Sequence, residues 1–310
     1  MTDDSPMAGH RRTITRRRTM AVAFAAAAIA VVAACTPPPD GENTKSVSNA
    51  TFEWTVSNET NNGAFDGSHN FWAAGQSTGT EAQYKATDGN AAVLKRNASG
   101  TYVPIGSESA VSYANRGKDG TGAAVTAFSP NFLGQKVRFS NGTGTVDTAT
   151  GAATIQWTGS FTIHFYGPLA PFWITDPKLV VQPDGSAKLS ATLGGFAGNQ
   201  ADPTQPPTPL PTTPDVTVAE FSNVYAGGAI ATGWTKATNY VGTVVSTAVG
   251  AAPQVAKTPA NETYWGAWPQ SFVNFQNATG LSSYWYTSGT GSINPGKAQD
   301  PVTVSYSLNP

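Results

Sequence analysis

Residues 155–166, IQWTGSFTIHFY, alternate apolar and polar side chains along nearly their whole length. One face carries aromatic and aliphatic side chains from Ile155 to Phe165, and the other face carries polar ones that include His164 and Tyr166. A period of two residues is typical of a half-buried strand in an antiparallel sheet. The pattern therefore predicts one continuous strand over residues 155–166, with His164 and Tyr166 on its solvent side.

Similar patterns occur on both sides of this stretch. Apolar residues alternate with polar ones over residues 52–56 and 302–308, and the turn sequence PDGS at 183–186 separates two further apolar runs at 179–181 and 189–193. No amphipathic helix of twelve residues follows the N-terminal region. The sequence predicts a mainly β fold: an antiparallel, β-sandwich-like single domain with little helix.

A proline-rich segment interrupts the pattern at residues 194–215. Proline has no backbone N–H to donate, and its ring is incompatible with a helix interior. The segment is therefore predicted to be a long exposed loop within one domain. The alternative is a linker between two domains.

The N-terminal region has the features of an export signal. A basic start precedes the short apolar stretch 20–34, which ends in the lipobox-like sequence VAAC with the cysteine at Cys35. Two acyl chains on this residue would hold the protein at a bilayer without spanning it. We therefore predict a signal peptide over residues 1–34, a lipidated Cys35 with a proline-rich tether over 35–49, and a β domain over 50–310. The predicted location is the outer face of the cell membrane.

Composition excludes several classes of protein. Only 12% of the 310 residues are charged and the net charge is −1, whereas soluble domains average roughly 25% charged residues. Aromatic residues make up 10%, enough to build a core, and no basic patch suited to nucleic acid occurs in the body of the chain. Cys35 is the only cysteine, so no intramolecular disulfide can form. The two histidines that follow it lack the spacing of a protein-only metal site.

Two local motifs admit a functional interpretation. Residues 75–79, GQSTG, match the Gly-x-Ser-x-Gly pattern of hydrolases, for which Asp119 and His164 would be the partners. That motif requires a strand–turn–helix, which this pattern does not predict, so we expect no enzyme. The aromatic clusters at 264–268 and 284–286 favour core packing, with exposed rings for a flat apolar ligand or a glycan as the alternative.

Several short runs, taken together in their order and spacing, resemble the haem-transport-associated (HtaA) domain of actinobacterial surface proteins. They cover most of residues 50–306. The matching runs are 52–56, 142–147, 159–160, 175–181, 184–187 and 300–304.

The resemblance implies a β-rich domain that takes up haem at the cell surface and hands it to an import system. In that family a tyrosinate binds the iron and a histidine donates a hydrogen bond to it. The tyrosine position falls at Gly63 here, and the histidine position falls at Tyr166, two residues after His164. One hypothesis is a relocated haem site with Tyr166 or His69 on iron and His164 beside it. The other is an envelope binding or structural lipoprotein that keeps only the fold.

Overall fold

The computed structural model of the chain describes residues 43–198, 202, 205–226, 230–289 and 293–309. The predicted signal peptide and Cys35 lie outside the described residues. The described elements are thirteen strands, one α-helix and six short 3₁₀ helices. The strands are β1 (Thr44–Trp54), β2 (Trp72–Ala74), β3 (Thr87–Asp88), β4 (Ala91–Arg96), β5 (Tyr102–Pro104), β6 (Gln135–Asp147), β7 (Ala153–Gln156), β8 (Ser160–Phe165), β9 (Ala170–Val181), β10 (Ala187–Ala197), β11 (Thr208–Phe221), β12 (Gly233–Lys236) and β13 (Val302–Ser305). The helix is α1 (Gln270–Thr279), and the 3₁₀ helices are Glu59–Asn61, Glu81–Gln83, Ser109–Val111, Tyr113–Asn115, Ser282–Trp285 and Asn294–Lys297.

All thirteen strands join one antiparallel sheet, with the main order β11-β10-β9-β7-β6-β1-β13-β12. The sheet divides toward one end. There β6 leaves β7 and pairs with β4, while β9 leaves β7 and pairs with β8. Phe139 of β6 packs edge-on against Phe161 of β8 across this division, with ring centroids 6.1 Å apart. The prediction of a mainly β, antiparallel fold with little helix is confirmed.

The division defines the end of the domain that carries the candidate sites. Strands β1, β8 and β10 finish at this end, and β6, β9 and β11 begin there, as the antiparallel registers require. We call it the loop end. Residue 43, where the described chain begins, lies at the opposite end of β1. The strand has 11 residues, a length of about 35 Å at the usual strand rise.

The stretch 155–166 forms two strands, so the prediction of one continuous strand is wrong. β7 ends at Gln156 and β8 begins at Ser160, and between them Gly159 adopts a φ of +114°, which favours glycine. Both strands pair with β9, so the alternation continues across the break. Every residue of β8 is buried because β2 and β9 flank it and the chain around Phe71 covers its polar face.

The proline-rich segment is strand at both of its ends, so the prediction of a loop over 194–215 is wrong there. β10 continues to Ala197, and β11 begins at Thr208 and includes Pro209, Pro211 and Pro214. β11 is an edge strand that pairs only with β10. Its outer side needs no N–H donor, which is why prolines are tolerated there.

The start of the β domain also differs from the predicted boundary at residue 50. β1 begins at Thr44, which pairs with Asp147 of β6. Residues 44–49 therefore belong to the sheet and not to the tether.

The aromatic clusters at 264–268 and 284–286 are core. Trp268 is fully buried, stacks on Phe272 of α1 and packs edge-on against Trp285 at 4.8 Å. Its indole N–H donates to the carbonyl oxygen of Lys297 at 3.0 Å. The core-packing interpretation is confirmed, and a ligand platform on the cluster tryptophans is wrong because Trp265, Trp268 and Trp285 are all buried.

Candidate functional site

A mostly apolar cleft of about 580 Å³ opens at the loop end beside Tyr166. We call it the Tyr166 cleft. The connection after β8, the start of β9, the end of β10 and the chain before β11 form its walls. Its lining residues are Asp66, Ser68, Thr78, Tyr166, Pro168, Leu169, Pro171, Phe196, Gln205, Pro206 and Pro207.

Tyr166 follows β8 directly and adopts a φ of +52°. Its backbone N–H donates to Asn70 Oδ1 at 3.2 Å, which fixes the turn. Its hydroxyl forms a short hydrogen bond with the hydroxyl of Tyr284, whose ring lies edge-on at 6.0 Å. Burial first, and then this hydrogen bond, raise the pKa of Tyr166 well above its ordinary value. The phenol is therefore protonated at neutral pH.

His164 is completely buried, so the prediction of a solvent-exposed histidine is wrong. Its ring stacks on Phe71 with centroids 4.3 Å apart. Nδ1 donates to the carbonyl oxygen of Phe71 at 3.0 Å, which leaves Nε2 to accept from Ser77 Oγ at 3.1 Å. Burial lowers the pKa of His164 to about 4, so the imidazole is neutral. Gly79 lies between this ring and Pro168, and His164 does not line the Tyr166 cleft.

Ser77 is the serine of the Gly-x-Ser-x-Gly pattern, and His164 is one of its two proposed partners. The structure brings these two residues into contact. Ser77 is 2% exposed, and its oxygen also accepts from the N–H of Gly79 at 3.1 Å. The motif follows β2 but is followed only by the 3₁₀ turn Glu81–Gln83, and the Asp119 carboxylate bonds to its own loop instead. A buried serine without the helix of a nucleophile elbow gives an acyl substrate no approach.

Gly63 and His69 form an isolated antiparallel bridge. A Cβ placed on Gly63 would lie 2.6 Å from the Cα atom of Thr126, so no side chain fits at the position of the family tyrosine. His69 is half-buried with its ring against Gly117, and burial and the nearby Arg116 lower its pKa. Neither residue lines the Tyr166 cleft. Of the three residues predicted to bind haem, the structure brings only Tyr166 to this cleft.

Two residues of the site were not predicted from the sequence as site residues. Tyr284 bonds to Tyr166 across 118 positions of sequence, and Phe196 reaches the cleft from the end of β10. The only signal for Tyr284 was its place in an aromatic cluster.

A buried pair of charged residues packs behind this region. Burial raises the pKa of Glu59 to about 7 and lowers the pKa of Lys297 to about 8, and the attraction between the two opposes each shift. Lys297 Nζ donates to the carbonyl oxygen of Ser283 and to Ser288 Oγ, each at 2.8 Å. Among the described residues, Glu59 Oε2 has no hydrogen-bond partner. Glu59 therefore takes up a proton more readily than an exposed glutamate.

Within the described ranges, no set of three or more His, Cys, Asp and Glu side chains is arranged to hold a metal ion. In the part of the chain that the structure describes, no helix has the length and apolar character needed to cross a bilayer.

Comparisons with known proteins give structural neighbours only. No protein-family model and no curated protein matches the chain. The chain is similar to the crystal structure of the C-terminal domain of HtaA from Corynebacterium glutamicum, at 14% identity and a TM-score of 0.37, covering 86% of this chain and 99% of that one. It is also similar to the heme binding protein HtaB of the same organism, at 12% identity and a TM-score of 0.34, covering 86% and 97%.

A third similar structure is the N-terminal domain of HtaA from Corynebacterium glutamicum, at 13% identity and a TM-score of 0.32, covering 85% of this chain and 99% of that one.

Proposed function

We propose that this chain is an exported envelope lipoprotein that binds haem in the Tyr166 cleft and takes part in haem uptake. The observation that carries the proposal is that Tyr166 lines a mostly apolar cleft of about 580 Å³. Small-molecule sites in proteins are typically concave, mostly apolar and of this size, with a few polar groups that fix the ligand. The proposal assigns no catalytic reaction to the chain.

The residues of the cleft fit a tyrosinate-ligated haem. Ferric haem would supply an iron that binds a hard anionic oxygen, together with a flat apolar macrocycle. The phenol oxygen of Tyr166 would bind it, and Leu169, Pro171 and Phe196 would provide the apolar walls. The Tyr284 hydroxyl already bonds to that oxygen and can donate to it once the proton has left. Tyr284 would then occupy the role that a histidine has in the family that the sequence resembles.

A second candidate function is binding of another flat apolar ligand by a relative that kept only the fold. The observation that favours it is the position of the histidines. Neither His69 nor His164 lines the Tyr166 cleft, and Gly63 leaves no room for the family tyrosine.

Hemin titration of the full chain in detergent distinguishes the two. We expect a saturable one-to-one shift of the Soret band that Tyr166→Phe abolishes, because the phenylalanine keeps the ring and removes only the oxygen ligand. His69→Ala and the matched Tyr264→Phe, both outside the cleft lining, are expected to keep the shift. Tyr284→Phe is expected to keep binding with an altered Soret position.

Two results would contradict the proposal. A wild-type spectrum identical to that of free hemin would leave the second candidate in its place. A shift that persists in Tyr166→Phe would place the haem somewhere other than the Tyr166 cleft.

The location at the membrane has its own test. We expect that Cys35→Ser abolishes incorporation of an alkyne-labelled fatty acid and moves the protein from the membrane fraction to the soluble fraction. Cys35 is the only cysteine, so no other thiol can take the label. Thr36→Ala keeps the thiol and is expected to leave the labelling unchanged. Labelling of the Cys35→Ser variant would show that the anchor is elsewhere.

A further inference from the structure

A second cleft opens at the loop end, with a volume of about 690 Å³ and a lining surface that is polar and apolar in nearly equal parts, although most of its residues carry polar side chains. We call it the polar cleft. It lies between the chain that follows β1, the β4–β5 turn and the loop before β6. It shares no lining residue with the Tyr166 cleft. The proposed function therefore does not use it.

Two carboxylates in the polar cleft are held in fixed positions. Asp119 accepts hydrogen bonds from the N–H groups of Thr121 and Ala123 at 2.9 and 3.0 Å, and from the Asn131 side chain at 2.8 Å.

Asp300 Oδ2 accepts from Thr55 Oγ1 at 2.6 Å, and its backbone oxygen accepts from the Trp54 indole at 3.0 Å. Acceptors fixed in this way lose little conformational entropy when a ligand binds.

Aromatic rings lie among these polar groups. Phe132 is 37% exposed and lines the cleft, where it supplies part of the apolar surface. Tyr102 is half-buried in the wall, with Lys136 Nζ 4.3 Å from its ring centroid. The exposed ring of Phe132 offers a flat apolar surface between hydrogen-bonding groups.

The charges of the lining indicate a neutral ligand. Arg96 is the only cation among the lining residues, and it is outnumbered by Asp119 and Asp300. A phosphate or an anionic polymer would meet more negative than positive charge, which opposes its binding. A neutral molecule rich in hydroxyl groups could donate to the carboxylates and accept from the Arg96 guanidinium.

We propose that the polar cleft binds a neutral oligosaccharide. A pyranose ring has hydroxyl groups around its edge and an apolar C–H face, which match the fixed carboxylates, Arg96 and the exposed ring of Phe132. Amphipathic ligands of this kind use an aromatic face for area and polar groups for orientation. The cleft lies at the end of β1 opposite residue 43.

The test is calorimetric titration of the full chain, in a detergent without a sugar headgroup, with maltohexaose, cellohexaose and mannohexaose. We expect saturable one-to-one binding of at least one of them. Phe132→Ala and Arg96→Ala, two substitutions of exposed residues, are each expected to weaken it by about tenfold. The matched Phe128→Ala, an exposed phenylalanine outside the cleft, and Tyr166→Phe are expected to leave it unchanged.

Three outcomes would overturn the proposal. They are binding of none of the three hexasaccharides, binding that Phe132→Ala leaves intact, and equally tight binding of an uncharged hexapeptide that depends on Phe132. The Tyr166→Phe variant separates this result from the haem proposal, because it changes only the other cleft.

Discussion

Gly63→Tyr, which introduces a tyrosine where the resemblance places the iron ligand of the HtaA domains, is expected to destabilise the domain and to create no haem ligand. A Cβ on Gly63 would lie 2.6 Å from the Cα atom and carbonyl carbon of Thr126 and 2.7 Å from the carbonyl oxygen of Val125. These are backbone atoms, which cannot rotate out of the way as a side chain can. Overpacking of a well-packed site costs about 1–3 kcal/mol, which we expect for Gly63→Ala, with a larger loss for tyrosine.

Denaturant unfolding of the wild type, Gly63→Ala and Gly63→Tyr measures this loss. Gly296→Ala is the matched control, since a Cβ there would meet its nearest neighbour, Asn58, at an ordinary 3.5 Å. We expect Gly296→Ala to change the free energy of unfolding by less than either Gly63 variant. A Gly63→Tyr variant as stable as the wild type would show that the chain at Thr126 can withdraw, and that the family's ligand position is still usable.

The packing around Gly63 limits where a ligand can bind. The chain at Val125 and Thr126 fills the space at Gly63, so the tyrosine position of the resembled family is closed by backbone. Tyr166, where the resemblance places the histidine of that family, lines a cleft. The ligand of a haem site in this chain would therefore come from the end of β8 and not from the segment after β1.

Local sequence pattern predicted the strands where turn chemistry supported it. The runs 179–181 and 189–193 with the PDGS turn form the β9–β10 hairpin, in which Val181 pairs with Ala187. The C-terminal alternation, predicted over residues 302–308, forms β13 only as far as Ser305, with Val302 and Val304 buried. Both are local features, since the turn residues and the period of two lie within a few positions of one another.

Pattern failed where the environment of a strand comes from elsewhere in the chain. Alternation over residues 160–165 predicts one solvent-exposed face, but β2 and the chain around Phe71 cover that face and bury His164. Prolines exclude a strand from the centre of a sheet but are tolerated in an edge strand. The sequence does not show that β11 lies at an edge. Periodicity reports which side chains share a face, and it does not report what packs on that face.

The candidate site was predictable in part for the same reason. Tyr166 could be named from the family resemblance, but its partner Tyr284 and the cleft wall at Phe196 come from distant segments. The polar cleft left no motif at all, because its lining comes from five separated parts of the chain, at 55–61, 96–102, 119–121, 130–135 and 300.

Glu59→Gln is expected to make the stability of the domain rise with pH relative to the wild type. Burial raises the pKa of Glu59 from its usual 4.5 to about 7. A raised pKa contributes stability that is fully present below pH 4.5 and is lost as the pH rises through 7, because the unfolded chain ionises first. Glutamine does not ionise, so the stability of the variant lacks this dependence on pH. The difference in unfolding free energy should therefore change by about 1.4 kcal/mol per pH unit in favour of the variant, or about 3 kcal/mol between pH 4.5 and 7.

His164 makes the free energy of unfolding rise with pH, whereas Glu59 makes it fall, over overlapping pH ranges. The effect of Glu59 is therefore measured as the difference between the wild type and Glu59→Gln. Its pKa is lowered from 6.5 to about 4, so its contribution is present above pH 6.5 and is lost as the pH falls toward 4. The two contributions oppose each other between pH 4.5 and 6.5, and Glu59→Gln exposes the slope that His164 provides.

Denaturant unfolding at half-unit steps from pH 4.5 to 7 gives the two slopes, with the exposed Glu81→Gln as the matched loss of a carboxyl. Parallel curves for Glu59→Gln and the wild type would mean that Glu59 is ionised in the folded protein, with Lys297 compensating its charge. The buried pair behind the Tyr166 cleft would then be an ion pair and not a proton-binding carboxyl beside a lysine.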